Sequence, residues 1–272
     1  MNNISFPSIG LSMNINPVAF HIGSHPVYWY AIIILSGFLI ALCFVSVTCE
    51  KRGVRTDNIW DIALYGLITG IIGARIYYIL FSLDEFHSFA DMLQIWNGGL
   101  AIYGGIIAAV IMAFIYCRIK KLNATKVFDV CAPGLLIGQA IGRFGNFTNA
   151  EVFGCETSSL LGMSINGAPP VHPLFLYESI WNLIGLVIML IFRDRKKADG
   201  QVFCFYLMWY SLGRFFLEGM RDPAYVLFVI PDKFGISQLV AIILFVLALA
   251  GAVALHIRKK RLRYMKIRIN RD

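Results

Sequence analysis

Charge is what this chain has least of. Asp, Glu, Lys and Arg make up 15% of its 272 residues, against 58% hydrophobic residues and a mean hydropathy of +0.69. That balance excludes an ordinary soluble domain, in which about a quarter of the residues are charged, and points to a polytopic membrane protein. Lys and Arg are missing from residues 1–50, 82–98 and 148–172. Their absence from the first fifty residues means that no cleavable signal peptide with a basic n-region is expected there. The net charge of +8 does not indicate a nucleic-acid partner, because eight of the Lys and Arg residues follow His256. Such a tail suits anionic headgroups on the cytoplasmic side. The six cysteines form no CxxC pair; Cys43 and Cys204 lie within apolar runs, and only Cys155 reaches the loops opposite the basic side. Neither a disulfide framework nor a metal pattern follows. No internal repeat is present, so inverted-repeat transporter architecture has no support.

What is present is a series of seven apolar spans, read as 27–48, 58–82, 99–117, 128–147, 173–192, 201–218 and 235–256, each near the length a bilayer requires. The loops alternate in charge. Lys51, Arg52 and Arg55 follow the first span, Arg118, Lys120, Lys121 and Lys126 the third, and Arg193, Arg195, Lys196 and Lys197 the fifth, while the loops between carry no Lys or Arg. By the positive-inside rule the N-terminus lies outside and the C-terminus in the cytoplasm. The expected fold is an all-α integral membrane protein of about seven transmembrane helices with small extracytoplasmic loops or a cap. A single polytopic domain, 1–272, is expected to carry an outer arm 1–26, an outer loop 148–172 and a basic tail 257–272.

That topology sorts the polar residues to one leaflet. Tyr30 opens the first span, Arg75 lies in the outer half of the second, and the run WNGGLAIYGG, from Trp96 to Gly105, opens the third. Arg143 and Asn146 close the fourth span, His172 and Tyr177 begin the fifth, and Tyr210, Arg214 and Glu218 climb the sixth at four-residue intervals. An ion pair of Glu218 with Arg214 follows from that spacing. Gln139, Arg143 and Asn146 share one helical face, with Gly134, Gly138 and Gly142 on a neighbouring face open to close helix approach. A charge at membrane depth costs a few kcal/mol or more and is retained for a ligand or a path. Two guanidiniums, Arg143 and Arg214, suit a phosphate oxyanion at headgroup level. The structural alternatives are an ion pair inside a bundle or a pore lining, and no ring of like residues supports a pore. Tyr103 alone reads equally as part of an aromatic belt, and His172 as the start of a span. Glu151 reads as a hydrogen-bonding partner or a base. Cys155 reads as inert, since no nearby cation lowers its pKa.

The segment GRFGNFTNAEVFG resembles the signature of bacterial phosphatidylglycerol-prolipoprotein diacylglyceryl transferases. The resemblance extends through HPVYWYA, GARIYYILF, GGLAIYGG, HPLFLYE and YSLGRFFLEGMR. It implies an enzyme of the bacterial cytoplasmic membrane that moves the diacylglyceryl group of phosphatidylglycerol onto the lipobox cysteine of prolipoprotein signal peptides, with release of glycerol 1-phosphate. It implies no metal and no nucleotide cofactor. Arg143 falls on the family's phosphatidylglycerol-binding arginine and Arg214 on its second essential arginine. Asn146, Glu151 and Gly154 fall on signature positions, Tyr30 on the first-span tyrosine, and Tyr210, Glu218 and Arg221 on the span-six motif. His172 is placed with the substrate-binding residues, Tyr103 and Glu151 with the catalytic ones. Many relatives carry His where this chain has Tyr103. A phenol, with an ordinary pKa about 10, is a poor base near neutrality, so Tyr103 is expected to position substrate while the arginines favour the thiolate.

Two rival readings come from other classes. A lipid translocator needs polar residues through the inner half of the bundle, which is apolar here. An intramembrane hydrolase needs a Ser–His or paired-carboxylate constellation on facing spans, and none is visible.

Overall fold

A computed structural model describes residues 1–86, 88–95, 98–230 and 234–269. Trp96, at the head of the glycine-rich run, and residues 270–272 of the basic tail lie outside the described residues. The chain is mostly helical and divides into two compact units, residues 1–43 with 131–272, and residues 44–130. The division falls within α1 (Trp29–Cys49) and within α5 (Ala124–Asn149).

The unit 44–130 is built on α2 (Thr56–Phe81) and α4 (Ile102–Ile119), with the short α3 (Phe89–Leu93) between them. Glycine lets the two long helices touch. A Cβ on Gly104 would lie 2.3 Å from Tyr77 Cβ and 2.4 Å from the Gly73 carbonyl oxygen. Both backbones meet there because neither carries a side chain. At the other end Tyr116 Oη donates to Asp61 at 2.6 Å and to Asn58 at 3.1 Å. Arg75 is buried and spends its guanidinium on main-chain carbonyls: those of Met92, Gly98, Gly99, Asp91 and Gln94. Five acceptors match the five N–H groups of an arginine. Arg75, grouped from the sequence with the polar residues of the outer leaflet, therefore holds the main chain at residues 91–94 and 98–99.

The larger unit packs α5, α6 (Leu174–Arg195) and α7 (Gln201–Glu218) around Ala132, Leu136, Met189, Val202 and Tyr206. Its α1 residues meet α5 through small side chains; a Cβ on Gly37 would lie 3.2 Å from Ile141, and one on Gly142 3.1 Å from Ile34. α8 (Ile236–Ile269) starts against the end of α7, where Gln238 Nε2 donates to the Phe215 carbonyl at 3.2 Å. Trp181 and Trp209 lock α6 to α7. Each indole N–H donates to the other residue's carbonyl, at 3.1 and 3.0 Å, and the rings stack 4.4 Å apart.

The all-helical expectation omitted short strands. β1 (Asn2–Phe6) pairs antiparallel with β2 (Leu11–Ile15) and, on its other side, with β5 (Ser164–Ile165). β3 (Val18–Ile22) and β4 (His25–Tyr28) form a hairpin, and β6 (Phe228–Ile230) pairs with β7 (Phe234–Gly235). Ile4 and Phe6 of β1 pack on Met163 and Phe175, so the N-terminal arm is sewn to the 148–172 loop and the start of α6.

Among the described residues six helical segments are long and apolar enough to cross a membrane: Trp29–Arg52, Thr56–Phe81, Ile102–Ile119, Ala124–Asn149, Leu174–Arg195 and Ile236–Arg261. α7, read from the sequence as a further span, falls outside that set. It carries Gln201, Arg214 and Glu218 in 18 residues.

Candidate active site

α5, α6 and α7 each bring a charged side chain to one place. Glu178, in the second turn of α6, is buried, its side chain 9% exposed. Its Oε2 is bound by Arg143 Nη2 from α5, and its Oε1 lies 4.0 Å from Arg214 Nη1 on α7. Two arginines distant in sequence thus share one carboxylate. Arg214 also reaches Glu218 Oε2 at 2.7 Å, the pair foreseen from their spacing, and Arg221 Nη1 lies 3.7 Å from the same oxygen. Three guanidiniums face two buried carboxylates in these ion pairs, a surplus of one positive charge. Removing either partner of such a pair strands the other charge in a poorly solvated place.

A small cavity opens beside this network, with Arg143, Glu178, Arg214, Tyr210 and Asn182 in its wall. The Trp clamp supports it. A Cβ on Gly213 would lie 2.3 Å from Trp181 Nε1, so the residue next to Arg214 has to be glycine for the indole to seat. Ser237 Oγ, 3.4 Å from Arg214 Nη2, adds a contact from α8.

The loop after α5 extends the network outward. Arg143 Nη1 donates to Asn146 Oδ1 at 3.5 Å, and Asn146 Nδ2 to Glu151 Oε1 at 2.9 Å. Glu151 sits between Ala150 and Val152, whose φ values are 53° and 57°. A β-branched residue at positive φ is a genuine outlier, and strain of this kind persists only where the surroundings impose it. Gly154 lies where three backbones meet. Its N–H donates to the His172 carbonyl at 2.9 Å, it bridges to Arg221, and a Cβ there would lie 2.6 Å from the Met220 carbonyl oxygen. His172 Nδ1 is 3.3 Å from Tyr177 Oη. Tyr30, in the first turn of α1, lays its ring where a Cβ on Gly145 would be 2.9 Å from Cδ2.

Arg143, Asn146, Glu151, Tyr210, Arg214, Glu218 and Arg221 are therefore linked by contacts or by one cavity, and Gly154, His172 and Tyr30 flank them. Tyr103 belongs to the unit 44–130, where it is exposed in the first turn of α4. Glu178 was not singled out from the sequence, although it ends the quoted HPLFLYE segment. The signal was there: two intramembrane arginines and an acid one turn into an apolar span. Among the described residues no group of three or more His, Cys, Asp and Glu side chains is placed to hold a metal ion.

A family model for prolipoprotein diacylglyceryl transferase matches residues 17–254. The chain belongs to that family. It is 42% identical over 261 residues to phosphatidylglycerol-prolipoprotein diacylglyceryl transferase 1 of Clostridium perfringens, covering 91% of this chain and 97% of that protein. The corresponding transferase of Lysinibacillus sphaericus is 41% identical over 92% of this chain and 96% of its own length. That of Listeria innocua is 38% identical over 94% and 96%. Similarity to these diacylglyceryl transferases thus runs nearly end to end.

Proposed function

We propose that this protein is a membrane transferase that moves the diacylglyceryl group of phosphatidylglycerol to the lipobox cysteine thiol of prolipoprotein signal peptides, the first step of lipoprotein maturation. The observation that carries the reading is the convergence of Arg143 and Arg214 on Glu178 beside one cavity. Arg143 and Arg214 offer guanidinium donors to the single negative charge of a phosphodiester. In the reaction the peptide thiolate attacks C3 of the diacylglyceryl group, the carbon–sulfur bond forms, and the C3–oxygen bond breaks with its electron pair left on phosphate. The thiol proton is lost to water. Glycerol 1-phosphate departs, and as a monoester it takes on more than one negative charge. Arg143 and Arg214 stabilise that growing charge, worth about 3–4 kcal/mol per well-placed donor. Asn146 and Glu151 steady Arg143, Glu218 and Arg221 steady Arg214, and Tyr210, Tyr30, Gly154 and His172 shape the surroundings. Tyr103 is read as a substrate-positioning residue.

The protein is read as one polytopic domain of the bacterial cytoplasmic membrane with seven spans, the site towards the outer leaflet, and the tail inside. Support for α7 as a span comes from its ends. α6 runs into Lys197, which lines a cavity with His256, Lys259 and Lys260 of α8, while the end of α7 is bonded to the start of α8. α7 thus leads from the end of α6 to the start of α8.

Purified protein given labelled phosphatidylglycerol and a lipobox peptide is expected to yield a thioether-linked product. Arg143→Ala and Arg214→Ala are each expected to lower the rate at least a hundredfold, and Tyr103→Phe to retain most of it. Free diacylglycerol in place of the thioether would make the protein a hydrolase, and lipid moved unmodified between leaflets would make it a translocator.

A further inference from the structure

The cavity beside the ion pairs continues one helical turn away from them, and its wall there is polar but uncharged. Gln139 stands four residues before Arg143 on α5, and Asn182 four residues after Glu178 on α6; both line the same cavity. Gln139 Nε2 donates to Tyr206 Oη at 2.8 Å, while Oε1, at the other end of the carboxamide, is buried with no hydrogen-bond partner. Asn182 is buried as well. The carboxamide oxygen of Gln139 is left unpaired only at a cost, so a polar occupant is called for. An acyl chain does not meet that need, because it offers no hydrogen-bonding group. A hydroxyl both donates and accepts, so it pairs with whichever end of the carboxamide faces it. The reach also fits, because one turn along α5 is about 6 Å, close to the span of a three-carbon polyol hung from a phosphate at the guanidiniums.

We infer that Gln139, assisted by Asn182, is a specificity-determining residue that hydrogen-bonds the hydroxyls of a glycerol phosphate headgroup. The hydroxyls of the leaving group then reach this end of the cavity and the acyl chains lie elsewhere. The inference rests on the proposed transfer from phosphatidylglycerol and names what reads its headgroup.

Full-length protein in detergent, titrated with glycerol 1-phosphate and with n-propyl phosphate, tests it. The two ligands have the same charge and nearly the same length, and differ in their hydroxyls. The parent protein is expected to bind glycerol 1-phosphate about tenfold more tightly. Gln139→Leu is expected to bring the two affinities within about twofold and leave that for propyl phosphate unchanged; Gln139→Met, closer in shape, serves if the first variant does not fold. Discrimination kept in the variants, or absent from the parent, overturns the inference. If the parent binds both esters alike yet makes the thioether product from phosphatidylglycerol, only this inference fails. If it binds neither and makes no thioether, the transfer reading fails with it.

Discussion

Glu178 decides whether two arginines act as one clamp. Without its charge, Arg143 and Arg214 repel each other across the cavity, and Arg143 keeps only the long contact to Asn146. Glu178→Gln preserves shape and removes the charge, so it isolates the electrostatic part. Breaking a buried pair by neutralising one partner costs about 3–5 kcal/mol; with the arginine side chains 24% and 20% exposed, the lower end of that range applies. The variant is expected to melt several degrees lower in detergent and to transfer at less than a hundredth of the parent rate, with Glu178→Asp intermediate. A Glu178→Gln protein with parental melting and turnover would show that the arginines are positioned by something else. At this scale the sequence exposes the cations better than the anion. Arg143 and Arg214 stand out because charge is rare in apolar spans. Glu178 is equally rare, but it follows His172, Pro173 and Tyr177, which read as a span boundary and draw attention outward. The four-residue spacing of Arg214 and Glu218 offers a local partner, which hides the distant one.

Helices were legible within a few residues because each is a long apolar run closed by charge or glycine: 27–48 against Trp29–Cys49, 173–192 against Leu174–Arg195, 201–218 against Gln201–Glu218. The strands were not, since β5 has two residues and β1 finds its partners more than 150 positions away as well as next door. α7 falls outside the apolar set because it carries Gln201, Arg214 and Glu218, and the last two belong to the proposed site. Its join to α6 is testable. Gly185 and Gly213 each receive the partner helix's indole, and a Cβ would lie 2.2 Å from Trp209 Nε1 or 2.3 Å from Trp181 Nε1. Both rings are held by reciprocal hydrogen bonds, so neither yields cheaply. Gly213→Ala is expected to destabilise by about 2 kcal/mol, as overpacking does. Adding Trp181→Leu is expected to recover part of that loss, whereas the leucine change in a parental background destabilises. A double-mutant cycle in which the two effects simply add would mean that the ring and the glycine do not meet.

For the molecule as a whole, sidedness follows from pairing as well as from charge. β1 and β5 exchange backbone hydrogen bonds, so the N-terminal arm and the 148–172 loop have to face the same side of the membrane. Both lack Lys and Arg, and the proposed topology has both outside by the positive-inside rule. Lys197 lines a cavity with His256, Lys259 and Lys260, which puts the end of α6 and the C-terminal part of α8 together, inside in the proposed topology. An 18-residue helix is about 27 Å long, close to the apolar thickness of a bilayer, so α7 is long enough to connect the two sides. Membrane-impermeant maleimide applied to intact cells reads this directly. Cys155, exposed in the outer loop, is expected to label when it is the sole cysteine, and so is Ser12→Cys on β2 in a cysteine-free background. Lys197→Cys and Arg261→Cys are expected to label only after the membrane is opened. Ser12→Cys and Cys155 labelling from opposite sides would be incompatible with the β1–β5 sheet. Arg261→Cys labelling from outside, with Lys197→Cys protected, would leave α7 and α8 together with one crossing and return the count of spans to six.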